Sequence, residues 1–316
     1  MEPSAGLHHV TAITGDARGN LDFYTRVLGM RLVKRTVNQD DVSAYHLFYA
    51  DAVGSPGTDL TFFDWPDTPI NVPGAPGIAP VALRIDSEEA LEWWRNEFER
   101  RGVPHSQAGG SEGSLRLAFS DPEGQRLELV PDGGIPGGRP WSGSPVPPEF
   151  RVKGLYGVTI TSLRPEATAA LLTQGMGFRL GSQRELADGG TEYSYVTGSG
   201  GPGTEVRLNV PERVTPAQQG RGGVHHVAFR VLDAAAQEEW REQMAVLGLR
   251  PTPVIDRYYF KSVYFREPGG VLFEIATDGP GFTADEAADH LGEGLALPPF
   301  LEAQRERIEA GLVPLA

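Results

Sequence analysis

Two pairs of adjacent histidines, His8-His9 and His225-His226, lie toward opposite ends of this 316-residue chain. A glutamate, Glu274, follows Leu272-Phe273 in an apolar run that reads as a buried strand. An unpaired carboxylate in such a strand would be costly. Imidazole and carboxylate donors suit Fe(II), Mn(II) or Co(II), and two histidines with one carboxylate form a facial triad that leaves coordination positions open. The chain has no cysteine. Disulfides, iron–sulfur clusters and thiol nucleophiles are therefore excluded, and a closed structural zinc site would lack its fourth ligand.

The elements that must position these residues recur four times. Gly6-Leu-His-His-Val, Gly77-Ile-Ala-Pro-Val, Gly154-Leu-Tyr-Gly-Val and Gly223-Val-His-His-Val each open a short apolar stretch of strand character. A helix-period segment follows each one. Leu21, Tyr24 and Leu28 share a face before Gly29; Leu91, Trp94 and Phe98 do so before Gly102; Trp240, Met244 and Leu247 do so before Gly248. The third segment has Pro165 near its start and Gly175 and Gly177 near its end. Strand-like runs return after each helix, so each repeat reads β-α-β-β-β. The halves are expected to be 1–131 (repeats one and two) and 153–281 (repeats three and four). A Gly-, Pro- and Ser-rich linker at 132–152 joins them, and a polar, partly helical tail at 282–316 has no counterpart in the repeat.

Aligned on one another, the repeats place His9, Pro80, Gly157 and His226 at one position. The sixth residue after the turn proline is Phe62, Glu128, Leu208 and Glu274 in order. Only repeats one and four together offer two histidines and a carboxylate: His9, His226 and Glu274, with Phe62 at the fourth place. A lone histidine on an apolar strand is usually a hydrogen-bonded core residue. Two pairs at equivalent positions favour the metal. Glu128 holds the same frame without histidine partners and reads as a solvated or salt-bridged residue.

The formal charge of −14 argues against nucleic acid and anionic membranes as partners. No signal-peptide pattern and no long apolar stretch occurs, which gives the expectation of a cytoplasmic protein. A homo-oligomer is expected on general frequency alone.

The chain resembles the vicinal oxygen chelate superfamily, and within it the dioxygenases that open para-hydroquinone rings. Leu7-His-His-Val10, Val33-Lys-Arg-Thr36, Tyr45 to Asp51, Pro56-Gly-Thr58, Val224-His-His226, Tyr264 to Glu274 and Gly281-Phe282 carry the likeness over nearly the whole length. The resemblance implies an α+β fold of four βαβββ modules paired into two cupped mixed sheets, with the metal between modules one and four. It implies Fe(II), with Mn(II) as the alternative, and a small aromatic substrate with O2. It would place Thr11, His8, His225, Arg257 and Tyr264 around the substrate as catalytic residues. Strand alternation supports Thr11, on the same face as His9. It turns His8 and His225 away unless the strands twist or bulge. Arg257 equally reads as a surface turn residue, Tyr264 as core packing, and His46 as structural. A glyoxalase-like isomerase or lyase, and a protein that sequesters quinones or drugs, are rival readings. Phe62 stands where an isomerase would want a second carboxylate.

Overall fold

The computed structural model describes residues 4–109 and 115–315. Module one contains β1 (Leu7–Thr14), α1 (Ala17–Asp22), β2 (Arg31–Asn38), β3 (Asp41–Ala50) and β4 (Asp59–Asp64). Module two contains β5 (Gly77–Ile85), α2 (Glu88–Arg101), β6 (His105–Gly109), β7 (Leu115–Ser120) and β8 (Arg126–Pro131). Module three contains β9 (Leu155–Thr161), α3 (Pro165–Ala170), β10 (Arg179–Glu185), β11 (Thr191–Val196) and β12 (Glu205–Val210). Module four contains β13 (Gly223–Val231), α4 (Ala234–Val246), the two-residue β14 (Ile255–Asp256), β15 (Lys261–Arg266) and β16 (Leu272–Thr277). The short helices α5 (Pro299–Glu302) and α6 (Arg305–Gly311) lie in the tail.

The helices form where apolar spacing and end signals agree. Ser87 accepts a hydrogen bond from Ala90 N at the start of α2, whose buried face carries Leu91, Trp94 and Phe98, and Gly102 ends it at φ 69°. Asp233 caps α4 in the same way, with Trp240 and Met244 buried. Leu247, expected on that face, lies just past the helix as its C-cap and is exposed. The helices of modules one and three each end in a π-helical turn, over Phe23–Val27 and Leu171–Gly175.

The sixteen strands form two mixed sheets of eight. One has the order β14-β15-β16-β13-β1-β4-β3-β2, the other β10-β11-β12-β9-β5-β8-β7-β6. The first therefore unites modules one and four, the second modules two and three, and both cut across the halves 1–131 and 153–281. The central pair of the first sheet, β1 and β13, is antiparallel, and each partner is flanked by a parallel neighbour, β4 or β16. This pairing puts the two histidine-bearing strands side by side, with Glu274 one strand away.

Strand β1 is buried along its whole length. Val10 and Ala12 join the main core, while His9 and Thr11 face the concave side of the sheet, in a slot. The tail closes that concave side. The enclosed Lys34 ammonium on β2 bonds Asp285 at 2.6 Å, Phe282 O at 3.2 Å and the Glu286 carboxylate. Arg31 reaches the carbonyls of Ala288 and Asp289. Phe282 and Leu291 then pack with Phe48, Tyr259 and Phe260 in a second, smaller apolar cluster. Farther along the tail, Leu301, Ile308 and Leu312 join the main core.

Candidate metal centre

His9 Nε2, His226 Nε2 and Glu274 Oε2 converge, and all three residues are buried. The carboxylate oxygen lies 3.2 Å from His9 Nε2 and 2.8 Å from His226 Nε2, and the two nitrogens are 3.4 Å apart. These separations bracket roughly 3 Å, the edge of an octahedron with bonds of about 2.1 Å. Although Oε2 is close to both nitrogens, it makes no hydrogen bond of acceptable geometry among the described residues. Three potential donor atoms thus cluster closely enough to share one centre, as a metal triad requires. Burial alone would raise the Glu274 pKa. Only in their protonated form do the two imidazoles outweigh it and hold the carboxylate well below its ordinary range.

The neighbouring histidines pair with His9 and His226 through Nδ1. His8 Nε2 donates to Thr277 O at 3.1 Å, and its Nδ1 lies 2.9 Å from His9 Nδ1. Burial, with a smaller contribution from His9, pushes the His8 pKa down to about 3, so the ring is neutral. Its Nδ1 must then accept the proton of His9 Nδ1, which leaves His9 Nε2 bare for a metal. His225 and His226 repeat the arrangement, Nδ1 to Nδ1 at 2.8 Å, with His225 also pushed down to about 3, chiefly by burial.

Adjacent residues face the same site because both strands bulge. Leu7 pairs with Phe229 and His9 with Ala228, so His8 is an extra residue on β1; Thr11 pairs with His226 and Ala12 with Val224, so His225 is an extra residue on β13. The bulges overturn the strict alternation that would have turned both rings away.

The other expected residues also gather here. Thr11 Oγ1 accepts from Thr61 Oγ1 at 2.9 Å. Tyr264 lies opposite Glu274 on β15, with its ring edge-on to His226 at 5.5 Å. Burial raises its phenol pKa. Arg257 sits over the Tyr264 ring at 5.7 Å and pairs with Asp40 at 2.7 Å, so it lines the site instead of standing free in a surface turn. The slot in front of the triad measures about 40 Å³, walled by Phe48, Phe63 and Phe260. A larger cavity of about 230 Å³, lined by Arg126, Arg266 and His225, contains none of the three convergent residues.

Residues 6–129 and 158–275 match the Glyoxalase/Bleomycin resistance protein/Dioxygenase superfamily. The chain belongs to that superfamily. It is 45% identical, over 98% of each chain, to a Bacillus subtilis (strain 168) protein named "Putative ring-cleaving dioxygenase MhqA". It is 32% identical, over 96% of this chain and 94% of the relative, to the chlorohydroquinone/hydroquinone 1,2-dioxygenase of Sphingobium indicum. The crystal structure of a Bacillus subtilis protein described as a "putative dioxygenase" covers 99% of this chain at 37% identity, with a TM-score of 0.90. Metal dependence is a property of the vicinal oxygen chelate dioxygenases, and the convergent His-His-Glu set is present in this chain.

Strand register corrects one expectation from the repeat. Glu274 pairs with Ala228, two residues after His226; the residue that pairs with Thr11, two after His9, is Thr61. Thr61, not Phe62, holds the fourth place, because the Pro-Gly-Thr turn reaches its strand one residue sooner than the turns after Pro122 and Pro268. Phe62 faces the core, packed on Tyr24 and Tyr49. The same register puts Glu128 and Arg207 at the corresponding places of the second sheet. There Glu128 Oε2 meets Arg207 at 2.8 Å and Arg116 at 3.2 Å in a buried network, so guanidinium groups supply the positive charge. Glu128 is salt-bridged, not solvated.

Three site residues gave no clear signal in the sequence. Ser262 Oγ donates to Glu274 Oε1 at 2.6 Å and orients the carboxylate. Phe260 covers both rings of the His8-His9 pair, at 5.2 and 5.1 Å. His46, expected to be structural, lines the slot. Its period-2 spacing from Phe48 could have placed both on one face of β3.

Proposed function

We propose that this superfamily member is a metal-dependent, extradiol-type ring-cleaving dioxygenase acting on a hydroquinone- or catechol-type aromatic with O2. His9, His226 and Glu274 hold the ion, Fe(II) in this reading and Mn(II) as the alternative. The observation that carries the reading is the buried, hydrogen-bond-orphaned Glu274 oxygen within 3.2 Å of both His9 Nε2 and His226 Nε2. When bound, such an ion supplies a redox-active Lewis acid with positions left for a phenolic oxygen and O2.

The chain's own groups orient and protonate. His8 and His225 keep the ligand rings in the metal-binding tautomer, and Ser262 fixes the carboxylate. Tyr264, protonated through the neutral range, offers a phenolic proton beside His226. Arg257 holds that phenol's ring from the other side, and Phe260 shields the histidines from water. The Thr11 hydroxyl, which takes its proton-donor partner from Thr61, is free to donate toward the metal end of the slot. A cytoplasmic setting and a homo-oligomeric assembly belong to the same reading.

A glyoxalase-like reaction is disfavoured by Thr61, a hydroxyl where that chemistry wants a second carboxylate. Oxygen consumption by anaerobically Fe(II)-reconstituted protein, offered hydroquinone and catechol side by side, tests the proposal. Metal-dependent uptake in step with loss of the ring is expected with one of them. No uptake with either, at full metal occupancy, would contradict it and favour an isomerase or a sequestering protein.

A further inference from the structure

The slot has a second polar end, remote from the metal ligands. Thr36 lines it, is 2% exposed, and its Oγ1 is enclosed without a hydrogen-bond partner among the described residues. Buried hydroxyls are seldom left so, because the lost hydration is not repaid. Opposite Thr36 in the β2–β3 ladder stands His46. Its Nε2 lies 3.0 Å from Thr61 Oγ1, whose own proton goes to Thr11. His46 therefore donates from Nε2. Burial keeps the ring neutral, so Nδ1 is an acceptor, with no protein partner among the described residues.

The two ends are set apart by the sheet itself. Thr11 on β1 pairs with Thr61 on β4, Thr61 with Phe48 on β3, and β3 with β2. The backbones of His46 and Thr36 thus stand two and three strands from the strand of His9, roughly 10–14 Å along the sheet, while the His46 ring leans back to Thr61. Between the ends the walls are aromatic: His46 itself lies against Phe48 and Phe63 at 4.0 and 4.4 Å. One side of the slot is the polar row Thr11–Thr61–His46, and Phe48, Phe63 and Phe260 supply aromatic walls, which suits a flat ring with oxygens at opposite ends.

We propose that Thr36 and His46 form the distal half of the substrate site and receive the second hydroxyl of a para-diol whose first oxygen lies at the metal end. Its proton goes to His46 Nδ1, and the Thr36 hydroxyl completes its own bonding on the same oxygen. A catechol, with both oxygens at the metal end, leaves Thr36 unpartnered. This assignment rests on the ring-cleaving reading and adds the residues that choose between diol geometries.

The experiment is anaerobic equilibrium binding to the metal-loaded protein, read by tryptophan fluorescence. Hydroquinone, catechol and phenol are compared on wild type, Thr36→Val and His46→Phe. Because the Thr36 hydroxyl has no partner among the described residues, Thr36→Val should keep the metal content and thermal midpoint of wild type. It should weaken hydroquinone about 5- to 10-fold, the loss of one hydrogen bond, while phenol and catechol hold their affinities. His46→Phe should lose hydroquinone affinity selectively as well. Unchanged hydroquinone affinity in both variants, or an equal loss for hydroquinone and phenol, would overturn the assignment. If wild type still consumed O2 with hydroquinone, the ring-cleaving reading would survive that result. Wild-type protein that bound none of the diols would overturn both.

Discussion

His9 and His226 can each present a bare Nε2 only if the ring proton sits on Nδ1, and in both cases the preceding histidine lies in position to accept it. His8 is the better anchored of the two acceptors, since Thr277 O fixes its own proton on the far nitrogen. His8→Phe keeps the packing against Phe260 but removes the acceptor. Metal affinity should fall about 10- to 100-fold, read by competition with a chelator, and a wild-type constant would show that the tautomer needs no such help. At this scale the ligand types were legible in the sequence, because strong donors stood out against inert residues at the same repeat position. Ser262 was not, since a serine in an apolar strand announces nothing until its partner is seen. The inward turn of His8 and His225 was not legible either: each depends on a bulge set by cross-strand register, which local alternation does not encode.

Among the elements, each central strand pair builds a cup, and the two cups have opposite electrostatics. In the first, a carboxylate and two imidazoles leave a centre to be filled by a cation. In the second, Glu128 meets Arg116 and Arg207, whose charges are also faced by Glu205 and Glu192, so no further cation is called for. Burial would raise the Glu128 pKa, but the two guanidinium groups outweigh it and keep the carboxyl below its ordinary 4.5. A depressed carboxyl pKa contributes stability that is present above that value and lost as the pH falls below it. Glu128→Gln leaves two buried cations short of a partner and should cost about 3–5 kcal/mol at neutral pH, with metal content unchanged. The gap between variant and wild-type thermal midpoints should narrow below pH 4.5. A gap independent of pH would contradict the charge account, and a lost metal would contradict the structural role. The β-α-β-β-β order was legible from glycine and proline punctuation. The one-residue difference between turn types was not, and it moved the fourth place from Phe62 to Thr61.

At the scale of the whole molecule, the sheets join modules distant in sequence, so the catalytic cup exists only when both ends of the chain have met. Recurrence of the histidine pairs in the first and fourth repeats was enough to expect this pairing. The role of the tail was not legible, because it depends on single contacts without periodicity: Lys34 to Asp285 and Glu286, and the Tyr259 hydroxyl to Asp285 at 2.8 Å. Those contacts hold Tyr259 and Phe260 over the slot and give the cup its far wall. The central claim remains that His9, His226 and Glu274 together hold one metal ion on which activity depends. The most direct test is the Fe(II) content of purified, reconstituted protein for wild type and for His9→Ala, His226→Ala and Glu274→Ala, each checked for folding by circular dichroism. One ion per wild-type chain and near-complete loss in every folded variant are expected; full metal retention by any one of them would contradict the assignment.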